Sequence, residues 1–475
     1  MEIFGEYDVV VVGGGTSGVA AAICAARVNA KTLLIERLGA LGGQMNISGP
    51  PGFAYAHMFN AHYEQIIGGI MEETHNRLLK EGHALPHLKP DWRAGFSFSY
   101  VDPDWWGLLM FQMMQENGVD LLLHSLAVDV LKEGRTVKGV IVENTSGRQG
   151  ILGKVVIDCT GEGDISVRAG APYETLPKDQ LQPHTIAFTA DGVDWEKVLK
   201  YIKENPDQFI FQVHPYLNWT EKQTHERIRR VKEITELAEI RGFIKIRDKG
   251  IADGEWHGQS GLGFFLIPRE GGVIQAHLQH SSHVANCDPT DVRDLTFAEI
   301  EARRQIVIAW KFIKKYLPGF EKAYVTRVCP EVRIRESRRI MGDYVLTSED
   351  VIEARKFKDV IGKSAFPTAG HHVAGPDTIT YEIIQYPKEG GTHDIPYRCL
   401  VPKNIENLLV AGKAISTERD PYHRFLQQTM VTGQAAGAAA ALCTKQNMTP
   451  RELEKDVSKL QEVLVKQGAI LFGTH

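Results

Sequence analysis

The chain has 475 residues, 43% of them hydrophobic and 24% charged, with 54 Lys plus Arg against 59 Asp plus Glu and a formal net charge of -5. Such a composition excludes a disordered or fibrous chain and provides for two or three globular domains. A mildly acidic balance with no basic block argues against nucleic acid as the main partner.

The N-terminal stretch Met1–Tyr7 carries Glu2 and Glu6 and leads straight into an apolar run. It lacks the basic start and cleavage site of a secretory signal. Six cysteines (Cys24, Cys159, Cys287, Cys329, Cys399 and Cys443) are scattered, with no CxxC pair. A dithiol, a zinc knuckle and a ferredoxin-type cluster are thereby set aside, and a reducing compartment is indicated. The Ala-rich run 435–442 is far too short for a membrane span and contains Gly437. The expectation is a cytoplasmic protein without a membrane span.

In chain order, Asp8–Val12 is a β-branched apolar run that predicts a buried parallel strand. Gly13-Gly14-Gly15 follows, then a small-residue helix over Thr16–Val28 and a second buried strand over Lys31–Glu36. This is a complete βαβ unit. Gly39–Gly52 is a loop by its Gly, Ser and Pro content. Asp102-Pro103 predicts a helix start, with Asp102 as N-cap, and Gly118 its end. Asp120–His124 predicts a third strand. Leu126–Leu131 and Val137–Glu143 alternate around Glu133-Gly134, the pattern of an antiparallel meander. Lys154–Asp158 is another buried strand. Thr220–Ile240 predicts an amphipathic helix closed by Gly242, and Gly272–Leu278 a strand. Thr296 to Glu299 has the spacing of a capping box that opens a long helix ending near Pro318. Leu408–Ala411 is a short buried strand, followed by an Ala/Gly-rich helix from about Thr429 to Leu442. Thr449-Pro450-Arg451-Glu452 opens a last helix that runs to Gly468.

The spacing Gly13-x-Gly15-x-x-Gly18 lies between a strand and a helix, as a dinucleotide site requires. Gly13 makes the tight turn, Gly15 admits a pyrophosphate to the backbone, and Gly18 lets the helix pack on the sheet. The helix N-terminus offers N–H groups to the phosphates. Glu36 ends the second strand, where an acid accepts bonds from ribose hydroxyls. Gly42-Gly43-Gln44, the meander, and the pair of segments Asn407–Gly412 and Gly433–Gly437 favour FAD over NAD. The predicted fold class is α/β: a Rossmann-like FAD-binding domain, with a parallel sheet and a β-meander insertion, plus a mixed α+β substrate or cap domain. The expected division is 1–170 and 366–448 for the two parts of the FAD-binding domain, 171–365 for the cap, and 449–475 for a C-terminal helix.

Four stretches carry a resemblance: Val11–Gly18, Val156–Asp164, Ile334–Arg339 and Asn407–Gly437. With them the chain resembles the superfamily of FAD-dependent oxidoreductases that includes the fumarate reductase and succinate dehydrogenase flavoproteins. Within it, the chain is most similar to a bacterial FAD-dependent oxidoreductase family. The resemblance implies FAD contacts at Gly13, Gly15, Thr16, Ser17, Gly18, Glu36, Arg37, Gly42, Gly43, Gln44, Thr160, Gly161 and Gly412. It implies that Val128 offers backbone to the adenine, and that the helix near Met430-Val431-Thr432 points its N-terminus at the flavin pyrimidine, where reduced flavin is negative. Close helix packing is the ordinary reason for the small residues there. The fumarate reductase His and Arg constellation is not found in order, and no His stands beside Gly42-Gly43, so noncovalent FAD is expected.

A proton donor or base is needed near the flavin. The wall flanking Gly412 offers His371, His372, His393, Tyr397, Arg398, Tyr422, His423 and Arg424. His423, Arg424, His372 and Tyr397 are the catalytic candidates: an imidazole shuttles a proton near neutral pH, and a guanidinium holds a carboxylate or enolate. Ordinary hydrogen bonding in loops is the competing explanation for each. Arg335, Glu336, Arg338 and Arg339 form either an anion clamp or an internal salt-bridge network, and the network is favoured. Trp105-Trp106 and Phe96–Tyr100 serve either core packing or stacking. No metal is expected, because His277, His280 and His283 alternate faces on a strand.

The partners implied are a small organic substrate and an unidentified electron donor or acceptor, since no second glycine fingerprint or dithiol is present. The reading admits a homo-oligomer. The expected reaction is hydride transfer at a C–H, C–OH or C=C bond. A non-catalytic escort protein and an RNA-modifying flavoprotein are the alternatives.

Overall fold

The computed structural model describes residues 1–47, 55–89, 97–211, 213–237, 239–257, 262–278, 281–371, 381–420 and 423–475, with the side chains of 371 and 381–384 left aside. His280, His372 and Tyr422 therefore lie outside the described residues.

Strand β1 (Glu2–Val12) is longer than its apolar half, because its exposed first residues pair with β6 while Val9–Val12 run through the core. Helix α1 (Thr16–Arg27) follows, then β2 (Thr32–Ile35) and, much later, β3 (Asp120–Leu122). β4 (Leu126–Glu133), β5 (Thr136–Asn144) and β6 (Gly147–Asp158) complete the sheet, in the order β3-β2-β1-β6-β5-β4. β1, β2, β3 and β6 run parallel, and β4-β5-β6 is the antiparallel meander. The strand Leu408–Val410 joins from the far end of the sequence, parallel to β6 through Val156–Asp158.

Across this sheet, α1 packs against the helix Leu426–Gln446. Their contact explains the small residues. A Cβ on Gly433 would lie 2.2 Å from the Ser17 carbonyl oxygen, and one on Gly437 would lie 2.1 Å from that of Ala21. No side chain fits there without parting the helices.

A second apolar core forms around a five-stranded antiparallel sheet in the order Tyr324–Val328, Phe188–Asp191, Ile274–Leu278, Leu262–Pro268, Ile240–Gly242. The 25-residue helix Val292–Tyr316 covers it through Ala302, Ala309 and Phe312. From Ile340 onward the chain packs on the first core again.

The caps show where local signals held. Asp102 accepts N–H bonds from Asp104 and Trp105 at 2.9 and 3.3 Å and starts the helix Pro103–Glu116. Trp106 is buried and donates to the Tyr55 hydroxyl at 2.9 Å, while Trp105 stacks on His83. Both do packing work; Phe96 lies outside the described residues.

Four predicted boundaries are corrected. The helix at Thr220 keeps its capping box but stops at Arg230, and Ile240–Gly242 is a strand instead. Sheet pairing with Leu262–Phe264 outweighs the helical spacing there. The long helix begins at Val292, capped by Asp291, so Thr296 lies inside it and donates to the Val292 carbonyl at 2.7 Å. Thr449 and Glu452 do form a capping box, but it opens only Pro450–Leu453, and a separate helix spans Ser458–Lys466. The Ala/Gly-rich helix begins at Leu426, before Thr429.

Candidate cofactor and active site

One cavity of about 440 Å³ lies at the carboxyl ends of β1, β2 and β6, the expected crevice of an open α/β sheet. Segments from the N-terminal and C-terminal parts of the chain and from the second core supply its wall. Gly13 sits at φ +103°, and a Cβ there would meet the Cys159 carbonyl oxygen at 2.4 Å. Gly18 is forced by the Gly13 carbonyl, 1.8 Å from where its Cβ would be. Gly15 is different: a Cβ there would meet nothing within 4 Å. The turn is thus tight on the sheet side and open on the cavity side. No side chain caps α1, so its first amides remain for a ligand.

Glu36 shapes the same turn. Its carboxylate accepts from the Gly14 amide at 2.6 Å and the Leu38 amide at 2.9 Å. Burial pushes its pKa up, against those two bonds. Each oxygen keeps acceptor capacity for a hydroxyl, which is what a ribose requires. Arg37 lines the cavity and pairs with Glu331 at 2.6 Å. Ser125, Leu126 and Ala127 form the neighbouring wall. Val128 follows at a bulge, where the β4–β5 register skips from Ala127 to Asp129. Val128 is therefore the residue without a ladder partner, although it is not in the cavity wall.

Gly42 is tied to the turn by its amide, bonded to the Gly14 carbonyl at 2.8 Å. It stays behind the wall, while Gly43 and Gln44 line it. The Gln44 amide donates to the Ile334 carbonyl at 2.8 Å, joining the loop to the second core's chain segment. Thr160 and Gly161 line the cavity after β6. Asp158 below them holds the Thr160 and Ser166 amides and hydroxyls.

The helix Leu426–Gln446 lies alongside α1 with the two N-termini together, the Thr429 and Thr16 hydroxyls 2.7 Å apart. Its first turn lines the cavity through Phe425, Leu426 and Thr429. Met430, Val431 and Thr432 lie one turn deeper and do not. Thr432 instead accepts the Gly412 amide at 3.1 Å and fixes the Gly412 turn. Gly412 lines the cavity at φ +89°.

The structure divides the catalytic candidates. Arg424 lines the cavity and donates to the Gln182 side chain at 3.3 Å. His423 and His393 are buried and face each other, Nε2 to Nε2 at 3.2 Å. Burial, then the charge of His423 and of Lys356 and Lys363, drives His393 well below the ordinary imidazole range. His393 is thereby held neutral, and His423 immediately precedes the wall residue Arg424. Tyr397 is in the core with its hydroxyl donated to the Pro450 carbonyl at 3.0 Å. Arg398 pairs with Asp359. Both are away from the cavity wall.

Sequence reading missed several wall residues, Arg333, Lys413, Glu162 and Asp164, while Arg338, also in the wall, belongs to the arginine cluster it singled out. Lys413 pairs with Glu162, and Arg338 with Asp164 and the Glu162 carbonyl. Glu162 and Asp164 stood inside a motif already singled out, so their sequence signal was present; that of Lys413 was only its place after Gly412. Arg339 and Arg419 approach Glu336, which also holds the Gln182 amide at 3.0 Å. Most of the Arg335–Arg339 cluster is thus the internal network expected.

Parallel sheet, glycine turn and acid-ended second strand define a dinucleotide-binding fold. Residues 8–464 match the family described as FAD dependent oxidoreductase, and the chain belongs to that family. FAD is its cofactor, and the open face of Gly15, the spare acceptor capacity of Glu36 and the two convergent helix N-termini fit it.

Digeranylgeranylglycerophospholipid reductase of Methanospirillum hungatei is 28% identical over 195 residues, covering 40% of this chain and 46% of that protein. Dihydrolipoyl dehydrogenase of Trypanosoma brucei brucei is 46% identical over 63 residues, 13% of each. The chain spans less than half the length of these curated relatives. A geranylgeranyl bacteriochlorophyll reductase-like protein from Thermoplasma acidophilum superposes with a TM-score of 0.46 at 14% identity, covering 98% of this chain and 88% of that one. No helix among the described residues is long and apolar enough to cross a membrane.

Proposed function

We propose that this protein is an FAD-dependent oxidoreductase that exchanges hydride with a small organic molecule, with FAD held noncovalently. The observation that carries the reading is one cavity walled jointly by the α1 turn, Gly412 and the first turn of Leu426–Gln446. When bound, FAD supplies the hydride chemistry. The chain's own groups bind and orient. The α1 amides and Gly15 receive the pyrophosphate. Glu36 accepts from the ribose. Ala127 borders the adenine, with the bulged Val128 next to it in the strand. Thr429 and the helix end behind it face the pyrimidine edge, where a helix N-terminus stabilises negative charge.

Arg424 orients the substrate. His423, next in the chain to the wall residue Arg424 and 3.2 Å from His393, is the proton-transfer residue we favour. We assign 1–170 and 366–448 to the FAD-binding unit and 171–365 to the covering unit, with the refinement that packing returns to the first core at Ile340. The six buried free thiols accord with a reducing, cytoplasmic setting.

The test is direct. Protein purified with added FAD should be yellow, release unmodified FAD on denaturation, and bleach under anaerobic reductant. A colourless protein, or a yellow one inert to every reductant, overturns the reading; the second outcome would favour an escort protein.

A further inference from the structure

At the adenosine end, the cavity wall comes from both cores. Glu36, Arg37 and Ala127 line it from the first core, and Glu331 and Val332 from the second. The two sides meet where the Arg37 guanidinium pairs with Glu331 at 2.6 Å. Glu331 and Val332 are tied in turn to the helix Val292–Tyr316. Glu299 of that helix accepts the Val332 amide at 2.9 Å, and Arg303 donates to the Pro330 carbonyl at 2.7 Å. The start of the same helix adds Val292 and Leu295 to the wall. The second core thus places a roof over the end of the cavity that Glu36 marks.

The roof is fastened from outside the cavity. The strand Tyr324–Val328 leads into it, and this strand is bulged. Its register against Phe188–Asp191 shifts between Val325 and Arg327, so Arg327 rather than Thr326 stands opposite Thr189. A bulge bends its strand and re-aims the neighbouring side chains. The Arg327 guanidinium reaches across to the first core. One arm meets Asp104 at 2.6 Å, and the other donates to the Asn46 carbonyl. Arg269, also from the second core, meets Asp102 at 2.6 Å and Asp104 at 3.0 Å. Asn46 ends the turn Gly43–Met45, all three residues of which line the cavity. Arg327, Asp104 and Asn46 are not themselves in the wall.

We propose that Arg327 and Asp104 are positioning residues that clamp the second-core roof over the adenosine, so that FAD is retained by a contact it does not touch. The inference rests on the assignment of the cavity to FAD. A ligand held between two bodies binds best when they are docked, so whatever favours docking also favours the ligand. A guanidinium suits the task because its fork serves a carboxylate and a carbonyl together. Half-exposed ion pairs are individually weak and are screened by salt, which limits the size of the effect and makes it salt-sensitive.

The experiment compares wild type with its variants, following FAD release from the loaded protein by flavin fluorescence and titrating apoprotein with ADP and with FMN. Arg327→Gln and Asp104→Asn should each speed FAD release about threefold to tenfold. Each should weaken ADP, which carries the adenosine and pyrophosphate, by a similar factor. FMN has no adenosine and should bind the variants as it binds wild type. Arg327→Lys should recover part of the loss. Salt at about 1 M should speed release from wild type more than from Arg327→Gln. The exposed Arg229→Gln should change nothing.

FAD release and ADP affinity at wild-type values in both variants overturn the clamp. A fall in FMN affinity as large as that in ADP affinity overturns it too, because it marks a general loosening of the fold. Asp104→Asn tests the contact from the first core should Arg327→Gln fail to fold by circular dichroism. A wild-type protein that takes up neither FAD nor ADP instead defeats the cofactor reading, so the two failures are distinct.

Discussion

Two helix N-termini open on the same cavity, and they are built in opposite ways. The start of α1 is written locally. Gly13, Gly15 and Gly18 fix the turn within six residues, and a Cβ at Gly13 or Gly18 would strike backbone of the turn itself or of Cys159 next to it. The start of Leu426–Gln446 has no such code. Phe425 is a poor N-cap by its side chain, and its amide is met by the Gln428 side chain at 3.2 Å. That end is placed by remote partners: Thr16 on Thr429, Gly412 on Thr432, and Ser17 against Gly433. The lesson is that a site can be half local geometry and half imposed packing.

The comparison can be broken most severely through the packed half. Gly437→Val pushes a branched side chain into the Ala21 carbonyl and should cost about 3 kcal/mol or more, by analogy with severe overpacking. Thermal or denaturant unfolding would show it; a variant as stable as wild type would mean that the helices are not in this register.

Glu36→Ala tests the local half. It strips an acceptor from the buried Gly14 and Leu38 amides and from the ribose, so FAD should bind about tenfold to a hundredfold more weakly. Fluorescence titration of apoprotein with FAD measures this. Unchanged affinity would remove Glu36 from the cofactor site.

Thr432→Val is smaller. It leaves the buried Gly412 amide unmet and should destabilise by about 1–2 kcal/mol, with a modest loss of FAD affinity because only the turn's support is touched.

The smallest effect is a control behind the site. Burial pushes Glu454 up to about 7, and its Oε1 has no hydrogen-bond partner among the described residues. Its folded pKa exceeds the unfolded one, so its contribution is full below the unfolded value of 4.5 and is lost as pH rises through about 7. Glu454→Gln should melt with wild type near pH 4.5 and above it near about pH 8, with FAD affinity unchanged. Equal melting at both values would contradict the burial cost. Histidine titration acts in the other direction. His393 is held neutral, so stability from that site is present above the ordinary imidazole range and is lost as pH falls below it.

Much of the first core was legible because its signals are short-range. β-branched runs ending in glycine, Asp102 before Pro103, and Thr449 three residues before Glu452 each act within one turn or one strand. The second core resisted the same reading. Ile234, Leu237 and Ile240 keep a helical spacing, yet they pack as a turn and an edge strand because Leu262–Phe264 is there to pair with. His423 and His393, thirty positions apart in the chain, meet only in the fold.

The sequence alone determined a dinucleotide site, since a phosphate-binding turn needs particular glycines at fixed spacing within one βαβ unit. Only the tertiary structure decided which side chains face that turn. The wall of the cavity is assembled from Arg333, Lys413, Arg424 and Thr429, whose residue types carry no positional code, and their meeting is set by two cores closing on one sheet end.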